Sequence, residues 1–462
     1  MLILKKIPRI PGLYLKNMVD SYIMAYAIDL FCGAGGCSEG LIQAGFDILF
    51  SSDISPMVEV TYKHRHEQLG LIQGENTWFE RSDIRDLTGE QIWNHIKELK
   101  CFNDGSRTLP KEIDLIIGGP SCQGFSRAGR RDKSDPRNML FGEYVRVISQ
   151  IRPRYIVLEN VEGFMDMQFM GYVGINGTKY PDGSVTPFLL RSELNEIGYK
   201  TLEPKILNAA DFGVPQRRRR AIFIGYRDGE KVPSYPEPTH LGKHISLQEA
   251  IGDLIRDPAI KASIPESKYQ KESKRGRTPT KSGKPISVKD NLTCTELSTV
   301  TDIVQERFSL FRQGESGTNL RKRVKEEGID LSGKKALLAL CSEKMGVDTK
   351  SVLKLFKSGK PSDEQIDILL TKKNIRQRWD PSQPSATIVS IADDYISPWE
   401  PRTFSVREMA RCQSFDDSFE FLGKRTTGGL LRRTEVPQYT QVGNAVPPLL
   451  AKAIVTEIMK CL

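Results

Sequence analysis

Short, mainly apolar runs recur along the first half of the chain. Ala25 to Phe31, Phe46 to Ser51, Ile113 to Ile117, Tyr155 to Leu158 and Ala221 to Gly225 are too short for helices and read as buried strands. Between them the period changes. Phe141, Tyr144, Val145 and Ile148 form one helical stripe, and Cys37, Leu41 and Ala44 form another. A third, Leu450, Ala453, Ile454 and Ile458, lies near the C-terminus. Buried strands alternating with amphipathic helices predict an α/β fold with a doubly wound, Rossmann-like sheet.

In such sheets ligands bind at the carboxyl ends of the strands, and those ends carry the candidate chemistry here. The stretch Ile113 to Ser126 reads IDLIIGGPSCQGFS. Gly118, Gly119 and Pro120 stop the strand, and Cys122 follows on the turn, either as a nucleophile or as a buried structural thiol. The strand at Tyr155 delivers Glu159, Asn160 and Val161. One helix joins these two strands, so a βαβ unit places Cys122 and Glu159 side by side.

The first strand runs into a glycine turn, Gly33-Ala34-Gly35-Gly36. Asp53 ends the next strand, 53 − 29 = 24 positions after Asp29, near the offset of a ribose-binding acid. The pyrophosphate pattern G-x-G-x-x-G is absent, which argues for a ligand with adenosine but no phosphate. Asp83, followed by Ile84, is either an acceptor for an adenine amino group or a solvated loop acid. In Gln216 to Arg220, strand geometry puts Gln216, Arg218 and Arg220 on one face and Arg217 and Arg219 on the other.

The 462 residues suffice for two or three domains, and the formal charge of +9 with a pI near 9.0 favours a polyanionic partner. The eight cysteines include no CxxC pair, so no metal is expected and a reducing cytosol fits. The N-terminus lacks the continuous apolar stretch of a signal peptide, and no run is long enough to cross a bilayer, so no membrane partner is expected.

Taken together, DLFCGAGG at 29–36, Asp53, Asp83-Ile84, GGPSCQGFS at 118–126, ENV at 159–161, QRRRR at 216–220 and QVGNAVPP at 441–448 resemble the DNA (cytosine-5)-methyltransferases, in that family's order. RTFSVREMARCQSF at 402–415 leads into the last block. One departure is Ser121, where the family commonly has a second proline before Cys-Gln. The resemblance implies methyl transfer from S-adenosylmethionine to C5 of cytosine in double-stranded DNA, leaving S-adenosylhomocysteine. It implies Cys122 as the nucleophile at C6, Glu159 on the N3 side of a flipped base, Arg220 at the base carbonyl and Arg218 beside the Cys122 loop. The basic loop 127–137 is expected to close over the base. The resemblance also maps Phe31, Gly33, Gly35, Asp53, Ile54, Asp83, Ile84, Leu140, Asn444 and Ala445 around the cofactor.

The expected layout is an arm at 1–22, a catalytic and cofactor-binding domain at 23–232, a target-recognition domain at 233–436, and a segment at 437–462 that completes the catalytic domain. Within the second, 268–289 holds eight basic residues against Glu272 and reads as a mobile basic loop that tracks phosphates, or as a solvated linker. Residues 336–357 fit a helix-turn-helix, with Ser342, Gly346, Val347, Val352 and Leu355 at the small, turn and core positions, or an ordinary helical hairpin. Trp379 is expected to anchor the hinge side. The overall expectation is a monomeric bacterial enzyme of the cytoplasm, associated with the nucleoid. Restriction-modification or phage defence is its setting, with a cognate restriction or defence-system protein as a partner. The alternatives are a tRNA cytosine methyltransferase, against which the absence of a Cys-Phe-Thr block speaks, and a catalytically silent DNA-binding scaffold.

Overall fold

The computed structural model describes residues 24–120, 139–372, 375–390, 394–429, 431 and 434–462. The arm at 1–22, Ser121, Cys122 and the basic loop 127–137 lie outside the described residues. The main strands, in chain order, are β1 Ala25–Leu30, β2 Phe46–Asp53, β3 Trp78–Arg81, β4 Leu115–Gly118, β5 Tyr155–Val161, β6 Tyr199–Thr201, β7 Lys205–Asn208 and β8 Arg219–Arg227.

They form one sheet in the order β3-β2-β1-β4-β5-β8-β6, with β7 also paired to β8. The first five are parallel, and the order reverses between β1 and β4. β8 runs antiparallel to β5, with Ile222 opposite Glu159 and Arg220 opposite Val161. Alternate residues leave on opposite faces, as the pleat requires. Tyr26, Ile28, Leu30, Ile116, Ile156 and Leu158 pack with Phe141, Tyr144, Val145 and Ile148 of helix Leu140–Ile151. Ala25, Ala27, Leu115, Ile117, Tyr155 and Val157 pack on the other side with Cys37, Leu41, Leu450, Ile454 and Ile458. Both faces are covered, so these strands read as near-continuous apolar runs. Tyr144 bridges β4 and β5, its hydroxyl 3.1 Å from the Ile116 carbonyl and 2.8 Å from that of Val157.

The C-terminal helix Pro448–Met459 lies against helix Gly36–Ala44. Burying Leu450, Ile454 and Ile458 is worth ~5–9 kcal/mol at ~1.5–3 kcal/mol per side chain. The approach is close at Gly36, where a Cβ would sit 2.0 Å from the Val446 carbonyl oxygen. That contact brings the QVGNAVPP segment onto the glycine turn.

A second core joins Leu247, Ile251, Tyr269, Trp379, Phe404, Phe415, Phe419 and Phe421 with Ala34 and Ala445 from the rim of the sheet. Trp379 is buried between Tyr395 and Phe404, with ring centroids 4.6 and 4.5 Å away. Helices Asp302–Ser309, Gly317–Glu326, Lys335–Met345, Thr349–Lys357 and Asp363–Leu370 form a bundle with its own core of Phe308, Leu320, Leu337, Cys341, Val352, Phe356 and Ile366.

The stretch 268–289, expected to be mobile, is instead fixed at its start. Ser267 and Gln270 form a capping box at the head of helix Lys268–Arg275, whose Tyr269, Gln270 and Ser273 are buried. Arg277 then pairs with buried Asp416 at 2.8 Å, and Asp416 also accepts from the Thr278 amide at 3.0 Å. The Thr278 hydroxyl donates to Glu39, which grips Arg65 at 2.7 and 3.0 Å. Lys281 pairs with Asp47. The segment is a strap across the two larger cores, and acids from elsewhere in the chain neutralise part of its charge. No helix among the described residues is long and apolar enough to cross a membrane.

Candidate active site and cofactor cleft

The carboxyl ends of β4 and β5 lie side by side, with Gly118 registered against Leu158. A Cβ on Gly119 would stand 3.2 Å from Glu159 Oε2, so only a glycine-sized residue leaves this carboxylate free of crowding. Asn160, 1% exposed, donates from Nδ2 to the Pro120 carbonyl at 3.0 Å and accepts the Val161 amide at 2.9 Å. It ties the last described residue before the Cys122 turn to the neighbouring strand. The residue pattern singled out Glu159 and gave Asn160 no role; its place beside an apolar strand end was the available signal.

Arg220 enters from β8 and places Nε 2.8 Å from Glu159 Oε1. Both side chains are about nine-tenths buried, and Arg220 meets this carboxylate oxygen as an ion-pair partner outside hydrogen-bond geometry. A buried acceptor in that state is available to a ligand. Gln216, Arg218 and Arg220 are buried while Arg217 and Arg219 are exposed, the alternation read from the sequence. Arg218 reaches the Ile388 carbonyl at 3.3 Å, and Gln216 accepts the Ile388 amide at 2.9 Å. The arginine strand is thereby keyed into the second core.

The second half of the site lies at the ends of β1 to β3. Phe31 holds a left-handed backbone, φ 56°, which costs a non-glycine residue about 1–3 kcal/mol and is typical of ligand sites. Gly33 is also left-handed, φ 52°, and no atom lies within 4 Å of where its Cβ would be. The Asp53 carboxylate accepts the Gly33 amide at 3.0 Å and the Ser55 amide at 2.9 Å. Burial pushes the Asp53 carboxyl above its ordinary value, against those backbone donors. Ile54 beside it is 62% exposed, an apolar side chain left open to a ligand. Ile84 is buried, and Phe31 and Leu140 pack half-buried against the same core. Gly35 caps the following helix. Ala445 is buried and Asn444 exposed, with the adjoining Val446 on the glycine turn.

Asp83 stands differently from the expectation of a carboxylate awaiting adenine. Arg85 binds both its oxygens through Nε, Nη2 and its own amide, which holds the Asp83 carboxyl below the usual range. Open space over Gly33, a strand-end carboxylate and an exposed aliphatic side chain nevertheless fit a nucleoside. Beneath them lies a buried polar network. Ser38 donates to Asp29 at 2.6 Å and contacts the Tyr62 hydroxyl at 2.7 Å, and Tyr62 contacts Ser51 at 2.5 Å.

All seven described cysteines are buried. Burial pushes the thiols of Cys32, Cys37, Cys101, Cys341, Cys412 and Cys461 upward, which suits structural thiols rather than nucleophiles. No cluster of histidine, cysteine and acid side chains suited to a metal occurs among the described residues.

The family model for C-5 cytosine-specific DNA methylase matches residues 26–460. The chain belongs to this family. It is therefore an S-adenosylmethionine-dependent enzyme that methylates cytosine at C5 in DNA. Among its relatives, the type II methyltransferase M.DdeI of Desulfomicrobium norvegicum is 30% identical over 446 residues, covering 93% of this chain and 88% of that one. The type II methyltransferase M.AgeI of Thalassovita gelatinovora is 28% identical over 479 residues, covering 93% and 98%. A solved structure of a prophage-encoded DNA modification methyltransferase (E. coli) superposes with a TM-score of 0.55 at 21% identity, covering 95% of this chain and 99% of that one. It shares the fold.

Proposed function

We propose that this methylase acts on a cytosine flipped out of double-stranded DNA, through covalent addition of Cys122 to C6. The observation that carries the reading is the buried Glu159–Arg220 pair beside the strand end that leads into the Cys122 turn. Two residues of chain beyond Pro120 extend at most ~7 Å, and Asn160 holds that proline. In the mechanism the Cys122 thiolate bonds to C6, and electron density moves to C5 and to N3. Glu159 shares a proton with N3, and Arg220 stabilises the charge on Glu159 and contacts the base carbonyl. Arg218, on the same face as Arg220, stands beside the Cys122 loop and ties the strand to the Ile388 carbonyl. S-Adenosylmethionine supplies the methyl group as a sulfonium electrophile. A base or ordered water then takes the C5 proton, and the electron pair of that bond restores the ring as sulfur leaves C6. Asp53 holds the ribose hydroxyls and Ile54 covers adenine, with Phe31, Gly33, Gly35, Asp83, Ile84, Leu140, Asn444 and Ala445 completing the cleft. Asp83 serves adenine only after Arg85 releases it.

Residues 233–436 supply the target-reading domain, and 437–462 close the catalytic one. The names of the type II relatives support a restriction-modification role, with a nuclease of matching specificity as partner. The enzyme acts as a monomer on nucleoid DNA. The test is transfer of labelled methyl from S-adenosylmethionine to duplex DNA or to tRNA, with Cys122→Ala as control. A duplex carrying 5-fluorocytosine, which has no C5 proton to lose, should trap a covalent adduct that survives denaturation and is absent from Cys122→Ala. Label entering only tRNA overturns the reading.

A further inference from the structure

The helical bundle plays no part in the chemistry above, yet one hairpin of it carries a concentrated charge. Helix Lys335–Met345 ends at Gly346, which has a left-handed backbone, φ 66°. Helix Thr349–Lys357 begins at once, capped by Asp348, which accepts the Lys350 and Ser351 amides at 2.9 and 3.0 Å. The Ser342 hydroxyl closes the turn on the Val347 carbonyl. A three-residue turn with a left-handed glycine between two such helices has the connectivity of a helix-turn-helix.

The inner side of this hairpin is apolar, with Leu337, Cys341, Val352 and Phe356 in the bundle core. The outer side of the second helix exposes Thr349, Lys350, Ser351, Lys354 and Lys357. Lys350, Lys354 and Lys357 fall at i, i+4 and i+7, on one stripe. Residues 334–360 hold seven lysines against two acids, Glu343 and Asp348, and Asp348 is committed to the cap. Among the described residues, Lys344, Lys350 and Lys354 have no acid within ion-pair distance, and Lys357 has only the electrostatic influence of Asp330. The strap, by contrast, has several of its cations paired with protein acids.

The hairpin is also wired to the active site. Arg378 donates to the carbonyls of Phe311, Ser397 and Pro398 at 2.9–3.1 Å, which fixes the bundle to the following strand. That segment continues to Ser385, Thr387 and Ile388, which bond to Pro215, Arg217 and Gln216.

We propose that helix Thr349–Lys357 is a sequence-reading element that enters the major groove of the duplex beside the target cytosine. Lys350, Lys354 and Lys357 lie on phosphates, and Thr349 and Ser351, at the start of the helix, face base edges. Unpaired cations on a rigid helix match a polyanionic duplex, and small hydroxyl side chains near a helix N-terminus suit base-edge contact. The proposal rests on DNA being the substrate.

The experiment uses the full-length enzyme and a duplex containing its methylated sequence, first defined by bisulfite sequencing of DNA from expressing cells. For the triple variant K350A/K354A/K357A, the slope of log K against log salt should become shallower by ~3, about 0.9 per lost phosphate contact. For T349A/S351A, the set of methylated sequences should widen while the salt slope stays unchanged. Amide exchange in the unmodified enzyme should show duplex-dependent protection at 349–357, a readout that needs no variant to fold. Unchanged slope, unchanged sequence set and no protection, in an enzyme that still methylates DNA, overturn the proposal alone. An unmodified enzyme that methylates no DNA overturns the reading on which it rests.

Discussion

Arg220 Nε stands 2.8 Å from Glu159 Oε1, and the two side chains reach each other from antiparallel neighbours where the parallel part of the sheet meets its antiparallel strands. The cation and the acid are therefore set by different strands, and each can be removed separately. Glu159→Gln keeps the shape and loses the proton-sharing carboxylate. Single-turnover methyl transfer should fall ~10²–10⁴-fold, the usual range for a general acid–base group, with S-adenosylmethionine affinity unchanged. Arg220→Ala leaves a buried carboxylate without its cation and should also lower stability by ~3–5 kcal/mol, seen in the denaturation midpoint.

Asn160 should behave as a positioning residue. Asn160→Ala frees the Pro120 carbonyl and removes a buried bond, at about 1–3 kcal/mol. The expected kinetic result is a reduced kcat with an unaltered KM for S-adenosylmethionine, because the cofactor end of the cleft is untouched. A matched loss in both parameters would point to general damage instead.

Two glycines just after the first strand, Gly33 and Gly36, separate packing from ligand approach. Gly36→Ala drives a Cβ to 2.0 Å from backbone and should yield little folded protein. Gly33→Ala meets no atom and carries only the strain of its left-handed backbone, ~1 kcal/mol. It should fold, and calorimetry should show weakened cofactor binding.

Asp29 lies buried under the glycine turn, and its carboxyl is pushed up to about 7 by burial, opposed by the Ser38 hydrogen bond and reinforced by Asp53. The folded enzyme thus keeps a proton that the unfolded chain, with an ordinary carboxyl near ~3.9, gives up earlier. The stability this contributes is complete below about pH 4 and is lost as pH rises through about 7. The gap corresponds to roughly 4 kcal/mol. Asp53 adds a decline of the same sign, so Asp29→Asn should remove part of the fall in Tm between pH 4 and 8. A pH profile identical to that of the unmodified enzyme would refute the assignment.

The strap supplies a graded pair of variants. Arg277→Ala takes the cation from Asp416, which is 1% exposed and keeps, among the described residues, only the Arg277 and Thr278 amides, and should cost about 3–5 kcal/mol. Lys281→Ala removes a half-exposed partner of Asp47 and should stay within ~1 kcal/mol. Chemical denaturation of both variants measures the difference.

The parallel strands were legible because both their faces are covered, which leaves runs dominated by apolar residues. The two faces of Gln216 to Arg220 were legible because strand period is fixed at two. The strap was misread because its lysines and arginines meet Asp47, Asp253 and Asp416, acids outside the segment that its own composition does not reveal. The grip of Arg85 on Asp83 is local but depends on rotamers, which no pattern encodes. The bundle was only partly seen, although Ser362 and Gln365 form a capping box that marks its last helix start.

The contact between Gly36 and Val446 has a bearing on biosynthesis. The helix that opens the sheet finds its cover only when the last helix emerges, 448 − 44 = 404 residues later. At ~5–20 residues per second, a ribosome leaves Leu41 and its neighbours without that cover for roughly 20–80 s. Nascent chains should therefore lean on a chaperone until release, and a stalled transcript would yield an aggregating fragment rather than a half-active one.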